Sequence, residues 1–172
     1  MVLWTVAECA PGVCLRFTAG PDGLRSIDFD QSRLADGQPS DSHPVLLEAV
    51  SQLRAYFAGA LREFKLPLDP HGTEFQKRVW RQLETIPYGE IRSYTQVAEA
   101  IGAAKAVRAV GAANGANPIP IVVPCHRVIG ASGKLVGYGG GLPLKKRLLE
   151  LEGVAMSPRA ARGAGNMTLF PA

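Results

Sequence analysis

The 172 residues are 47% apolar and 20% charged, a core-forming composition that excludes a disordered, collagen-like or coiled-coil chain. No apolar run approaches the roughly 18 residues that cross a bilayer, and MVLWTVAECA has no basic stretch ahead of a long apolar run, so neither a membrane anchor nor a secretory leader is expected. Cys9, Cys14 and Cys125 are too few for a disulfide scaffold and point to a reduced, cytoplasmic compartment. Charge is uneven. Residues 1–72 carry 6 Lys/Arg against 9 Asp/Glu, and residues 73–172 carry 13 against 6. The basic part suits a polyanionic partner or a plain solvated surface, and charge alone does not separate the two.

Up to about residue 40, short β-prone runs alternate with Pro-Gly, Gly-Pro and Asp-Gly breaks, the pattern of a small antiparallel sheet. The stretch ADGQPSDSHP reads as a polar loop. From Pro44, the spacing of Val45, Leu46, Ala49, Leu53 and Phe57 predicts a helix that Gly59 stops. FKLPLDPHG coincides with the change of charge sign and is taken as the boundary between a 1–70 domain and a 73–157 domain. In the second domain, Thr73-Glu-Phe-Gln76 and Ser93-Tyr-Thr-Gln96 have capping-box spacing, opening the helices FQKRVWRQLET and YTQVAEAIG. AVRAVGAANGAN and PLKKRLLELEG predict two more. A tail of small and polar residues, 158–172, is expected to be mobile, with MTLF near its end docking. The fold class is therefore α+β: a sheet-plus-helix domain, then a mainly helical domain containing a helix–turn–helix.

That helix–turn–helix is YTQVAEAIGAAKAVRAVGAANG, with Val97, Ala98, Ile101, Val107 and Val110 facing inward. Its second helix is largely Ala and Gly, so its backbone can approach a groove closely, with Arg108 as the one long cation. An ordinary αα-hairpin packed with small residues satisfies the same pattern.

The most informative segment is Asn117-Pro-Ile-Pro-Ile-Val-Val-Pro-Cys125-His126-Arg127-Val128. A Pro before the cysteine suits the first turn of a helix, where free amides and the dipole favour a thiolate. The adjacent His and Arg act in the same direction, and thiolate is the nucleophilic form. A lone buried cysteine is ordinarily inert; this string is too specific for that reading. The last helix adds a clue. Lys145, Lys146 and Arg147 open it and Glu150 and Glu152 close it, the reverse of what the macrodipole favours. A carboxylate kept at that end points to a partner such as His126, or else is an indifferent exposed charge.

PCHRV, preceded by NPIPIVV and followed by GYGGG, resembles the active-site signature of the O6-alkylguanine-DNA alkyltransferases, the methylated-DNA–protein-cysteine methyltransferases. The resemblance runs over roughly residues 73–153, with FQKRVW, IPYGEIRSYTQVA, KAVRAVGAANGANP and LLELEG in family order. The first 70 residues fit in outline as the family's variable N-terminal domain.

The resemblance implies DNA repair by irreversible transfer of the alkyl group from O6-alkylguanine, and from O4-alkylthymine, to Cys125, in one turnover and without a cofactor. His126 would be the general base through a water, Glu152 would orient it, Asn117 would brace the cysteine turn, and Tyr94 would donate to the leaving guanine. Arg108 would replace the extruded nucleotide. Ala106, Ala109, Ala113, Ser93 and Arg127 would complete the DNA-binding surface, with the helix–turn–helix in the minor groove. Carbonyls of Cys125 and Val128 would receive the guanine amino group beneath a loop of Tyr138, Gly139 and Gly140. The partner would be double-stranded DNA, met by a monomer with no membrane attachment. Gly139 departs from members with a serine there, leaving backbone amides to meet O6. Some members hold a zinc ion; Cys9, Cys14, His43 and His71 follow no zinc spacing, so no metal is expected. Competing readings are a non-catalytic binder of alkylated DNA, which Cys125 opposes; a dimeric regulator with a cysteine sensor, for which no dimerising helix is evident; and a Cys-His hydrolase, which would turn over.

Overall fold

The computed structural model describes residues 1–155; the expected tail, MTLF included, lies outside them. The described chain falls into two compact units, Met1–His71 with Pro118–Val122, and Gly72–Asn117 with Val123 onward.

In the first unit, β1 (Leu3–Ala10) and β2 (Val13–Gly20) form a hairpin across Pro11-Gly12, and β3 (Gly23–Asp28) adds antiparallel to β2. Gly12 takes φ 76°, the left-handed conformation that such a tight reversal needs. Two residues of the polar loop, Gln38–Pro39, form β4 and pair parallel to β1, giving the order β3-β2-β1-β4. The sheet is thus mixed rather than purely antiparallel. A proline fits this edge position because it gives up no ladder donor toward a further strand. Leu15, Phe17, Leu24 and Ile27 are buried on the sheet, and α1 (Pro44–Phe57) packs there with Leu46, Ala49, Leu53 and Tyr56. Tyr56, not Phe57, is the fully buried aromatic of that helix. Gln52 is also buried, because its amide accepts from the Lys65 amide N–H at 2.9 Å and donates to the Lys65 carbonyl at 3.0 Å.

The sequence reading places the whole NPIPIVV run in the second domain. The structure instead groups Pro118–Val122 with the first unit: the Ile27 amide donates to the Pro118 carbonyl at 2.9 Å, and Ile119 and Ile121 are fully buried. Ile121 sits at φ 74°, a conformation costing a β-branched residue about 1–3 kcal/mol and held in place by its surroundings.

The second unit is built on α2 (Glu74–Leu83), α3 (Tyr94–Ala100), α4 (Val107–Gly115) and α5 (Leu142–Leu151). Both capping boxes form: Thr73 and Ser93 each accept from the amide three residues on, and Gln76 and Gln96 each accept from the cap amide in return. These local bonds fix where α2 and α3 start. Val79, Trp80 and Leu83 of α2 pack inward, and the Trp80 indole donates to the Ala113 carbonyl of α4 at 2.8 Å. Gly102, at φ 72°, ends α3, and α4 packs back against α3 after a short connection. Val97, Ala98 and Val110 are buried as expected, whereas Ile101 and Val107 are half-buried. A pair of two-residue strands that periodicity does not signal, β5 (Arg92–Ser93) and β6 (Val128–Ile129), pairs in parallel and sets the start of α3 beside the segment that follows Cys125.

Candidate active site

Cys125, His126 and Arg127 form a single 3₁₀ turn after Pro124, and all three are buried. This corrects the expectation of a full helix opening at the cysteine; a three-residue turn supplies few free amides and little dipole. The turn is tied down from α4 and its end. The Asn117 amide donates to the Val123 carbonyl at 2.8 Å, and the Asn114 amide to the Cys125 carbonyl at 3.4 Å. Asn117 therefore sits where a brace for the cysteine turn is expected. Asn114 does so too, a residue that the small-residue pattern of α4 does not single out.

Behind the turn lies a buried ionic network. Glu152, the C-cap of α5, is 4% exposed; its Oε2 lies 2.7 Å from His126 Nε2, and Arg127 Nε and Nη2 donate to its two oxygens at 2.7 and 3.0 Å. Arg127 Nη1 donates to the Ile86 carbonyl at 2.6 Å, and its guanidinium stands 5.8 Å from the centroid of the Tyr88 ring. Tyr88 in turn donates to the Leu151 carbonyl at 3.1 Å. The Pro87-Tyr88-Gly89 turn is thus more than a helix stop: it carries the platform on which the network rests. Arg127, expected on the DNA-binding surface, is interior because its fork is taken up by Glu152 and the Ile86 carbonyl. The reversed charges of α5 have their reason here, since Glu152 at the helix end is paid for by His126 and Arg127.

Protonation follows from the network. Burial would raise the Glu152 pKa, but hydrogen bonds from His126 and Arg127 outweigh it and hold the carboxyl down to about 2. Burial pushes the His126 imidazole below its ordinary value, with Glu152 opposing. An ionised Glu152 and a neutral His126 fix the tautomer: a carboxylate only accepts, so Nε2 carries the hydrogen and Nδ1 the lone pair. Nδ1 is buried and has no hydrogen-bond partner among the described residues. Arg127 neutralises Glu152, so the expected direct help of Arg127 to the Cys125 thiolate is weakened.

Tyr94 opens α3, and its hydroxyl donates to the Val136 carbonyl at 3.4 Å. Burial, chiefly, and the Cys125 thiol nearby raise its pKa, with Asn114 opposing, so it is a protonated donor. Val128 is fully buried, while Tyr138 and Gly140 are half-buried and Gly139 is exposed, on the loop between β6 and α5. Arg108 and Ala109 are exposed on α4, Ala106 is half-buried at its N-cap, and Ser93 spends its hydroxyl on the α3 cap. Ala113 is only 2% exposed, which corrects its assignment to the contact surface: it faces α2, where its carbonyl accepts from Trp80. Lys145, one of the three basic residues that open α5, is 1% exposed and donates to backbone carbonyls. None of the three cysteines forms a disulfide, and no group of three or more metal-ligating side chains exists among the described residues. No helix among them is long and apolar enough to cross a membrane.

A buried cysteine followed by a histidine paired with a glutamate, on an α+β chain with five α-helices among the described residues, fits the class of protein that uses a cysteine as nucleophile or acceptor. Two family descriptions match the chain: "6-O-methylguanine DNA methyltransferase, ribonuclease-like domain" over residues 2–70, and "6-O-methylguanine DNA methyltransferase, DNA binding domain" over residues 74–154. The chain belongs to the methylated-DNA–protein-cysteine methyltransferase family. The protein of that name from Mycolicibacterium paratuberculosis is 71% identical over 104 residues, 60% of this chain and 63% of the relative, so the match spans less than two thirds of that relative's length. The protein of that name from Methanosarcina acetivorans is 52% identical over 135 residues, 77% of this chain and 86% of the relative. A crystal structure of Mycobacterium tuberculosis OGT in complex with DNA superposes with a TM-score of 0.79 at 51% identity, covering 87% of this chain and 92% of that one.

Proposed function

We propose that this chain repairs alkylated DNA by moving the alkyl group from O6 of guanine, and from O4 of thymine, to Cys125, once and irreversibly. The observation that carries the reading is the buried His126–Glu152 pair directly after Cys125 in the chain, in which a neutral imidazole keeps an unprotonated Nδ1. The family membership and the DNA complex of a relative support the partner, double-stranded DNA.

In this mechanism the Cys125 proton passes through a water to His126 Nδ1, and Glu152 stabilises the imidazolium that forms. The thiolate attacks the alkyl carbon, the carbon–O6 bond breaks, and its electron pair leaves with guanine. The Tyr94 hydroxyl supplies a proton to a ring nitrogen of the departing base. A thioether remains on Cys125, which no group in the site can hydrolyse, so the reaction stops after one turnover. The balance needs no cofactor.

The helices α3 and α4 act as the helix–turn–helix, with the exposed small residues of α4, Ala109 foremost, allowing close approach to the minor groove. Arg108 enters the stack in place of the flipped nucleotide. Tyr138, Gly139 and Gly140 close over the base, and the carbonyls of Cys125 and Val128 receive its amino group. Residues 73–157 carry recognition and chemistry, in a monomer that works in the cytoplasm. The test is mass spectrometry of the intact protein and of its peptides after mixing with a duplex containing O6-methylguanine. One methyl group per protein, on the Cys125 peptide, is expected; an unmodified Cys125 refutes the reading.

A further inference from the structure

Lys145 lies in the first half of α5, where the helix dipole disfavours a cation, and it is 1% exposed. An ammonium buried this deeply is costly unless fully bonded. Its three acceptors are all backbone carbonyls: Val128 at 2.9 Å, Val136 at 3.3 Å and Gly137 at 3.4 Å. These acceptors come from two places. Val128 lies on β6, directly after the cysteine turn, while Val136 and Gly137 belong to the loop of residues 130–141 that carries Tyr138. The Val136 carbonyl is also the acceptor of Tyr94. One buried nitrogen therefore joins the strand behind the cysteine, the loop before α5 and, through a shared carbonyl, the tyrosine of α3.

We propose that Lys145 is a positioning residue for alkyl transfer: its Nζ latches the 130–141 loop to β6 and so holds the wall that receives the flipped base. The inference rests on the base-pocket role given to that loop above. Cys125 and His126 act electrostatically on this ammonium and Tyr94 shares its Val136 acceptor, and burial, opposed by Cys125, brings its pKa down to about 8. The ammonium thus sits close to losing one of its three donors, which a latch of three carbonyls needs.

The experiment uses the full chain and compares wild type, Lys145→Met, which keeps the length without donors, and Lys146→Met as the neighbouring control. Three quantities are measured: amide exchange of residues 133–140, transfer from saturating O6-methylguanine duplex in single turnover, and alkylation of Cys125 by iodoacetamide. A loosened wall misplaces the base, and because a misplacement of 1 Å can cost about a hundredfold, transfer in Lys145→Met is expected to fall by about tenfold or more. Exchange in the loop is expected to rise by a similar factor, while iodoacetamide, which needs no base wall, reacts as in wild type. Lys145→Gln, with two donors, should recover part of both losses, and it carries the test if the methionine variant does not fold. Slower transfer without faster exchange, or faster exchange without slower transfer, overturns the latch. Iodoacetamide reactivity falling in parallel with transfer also overturns it, making Lys145 an electrostatic partner of the thiolate. Failure of wild type to methylate Cys125 refutes the proposed function itself, a result visible before any variant is made.

Discussion

Among the described residues each unit buries one arginine to the same degree, and the two are used differently. Arg16 on β2 and Arg127 in the cysteine turn are both 6% exposed. Arg16 donates to the Arg33 carbonyl at 2.6 Å and lies 3.5 Å from Asp28, whose side chain is 31% exposed; its Nε has no hydrogen-bond partner among the described residues. Arg127 faces a carboxylate with no exposed side-chain surface, and its Nε, Nη1 and Nη2 all donate. Equal burial therefore does not mean equal stakes. Arg16 is a strut between a strand and a loop and keeps one foot in water. Arg127 belongs to a closed ionic set, and a closed set fixes the protonation of a third member, His126.

The largest expected effect separates chemistry from that scaffold. Cys125→Ala removes the acceptor and should abolish transfer while unfolding in urea at the wild-type midpoint, because no buried charge is disturbed; residual demethylation of the duplex would identify another acceptor. Arg127→Met comes next. It leaves Glu152 buried without its principal countercharge, and breaking one side of a buried pair costs about 3–5 kcal/mol. Arg16→Met is the matched control and should cost about 1 kcal/mol, since Asp28 can turn to solvent. Comparable losses in denaturant titrations would erase the distinction between the two arginines.

The same distinction has a pH signature. Glu152 titrates near 2 in the folded chain against 4.5 for an ordinary glutamate, so its contribution is complete above about 4.5 and is lost as pH falls toward 2. Unfolding midpoints of wild type and Glu152→Gln should converge as pH is lowered through that window. A constant gap would mean that the carboxyl is not held ionised. Transfer by Glu152→Gln should also be slower at neutral pH. The smallest effect is expected outside the network. Arg108→Ala should slow transfer in duplex DNA, where unstacking costs a few kcal/mol. It should leave the reaction with free O6-benzylguanine almost unchanged. Equal slowing on both substrates would move Arg108 from the duplex to the support of the site.

What could be read from the sequence divides along the same line. The capping boxes at Thr73 and Ser93 were legible because their bonds close within four residues. The pairing of His126 with Glu152 was legible too, because a glutamate at a helix C-terminus is out of place without a partner. The interior positions of Arg127 and Lys145 were not: a buried cation needs acceptors, and theirs are the carbonyls of Ile86, Val128, Val136 and Gly137, whose direction depends on tertiary structure. Two-residue strands such as β4, β5 and β6 are too short to show a period. Small residues also mislead. Ala109 and Ala113 lie one helical turn apart, yet one is exposed and the other faces Trp80.

The excursion of Pro118–Val122 bears on how such a chain can be divided and inherited. The polypeptide leaves the second unit after Asn117, lends five residues to the first unit, and returns at Val123, two residues before Cys125. Cutting at the loop near residue 71 would therefore not yield two whole pieces. A C-terminal fragment would keep Ile119 and Ile121 but lose the sheet residues grouped with them, such as Ile27, whose amide holds Pro118. Gene fusion or domain exchange that replaced residues 1–70 would have to supply a new seat for this loan, so the N-terminal sequence can drift freely only where it does not touch those five residues.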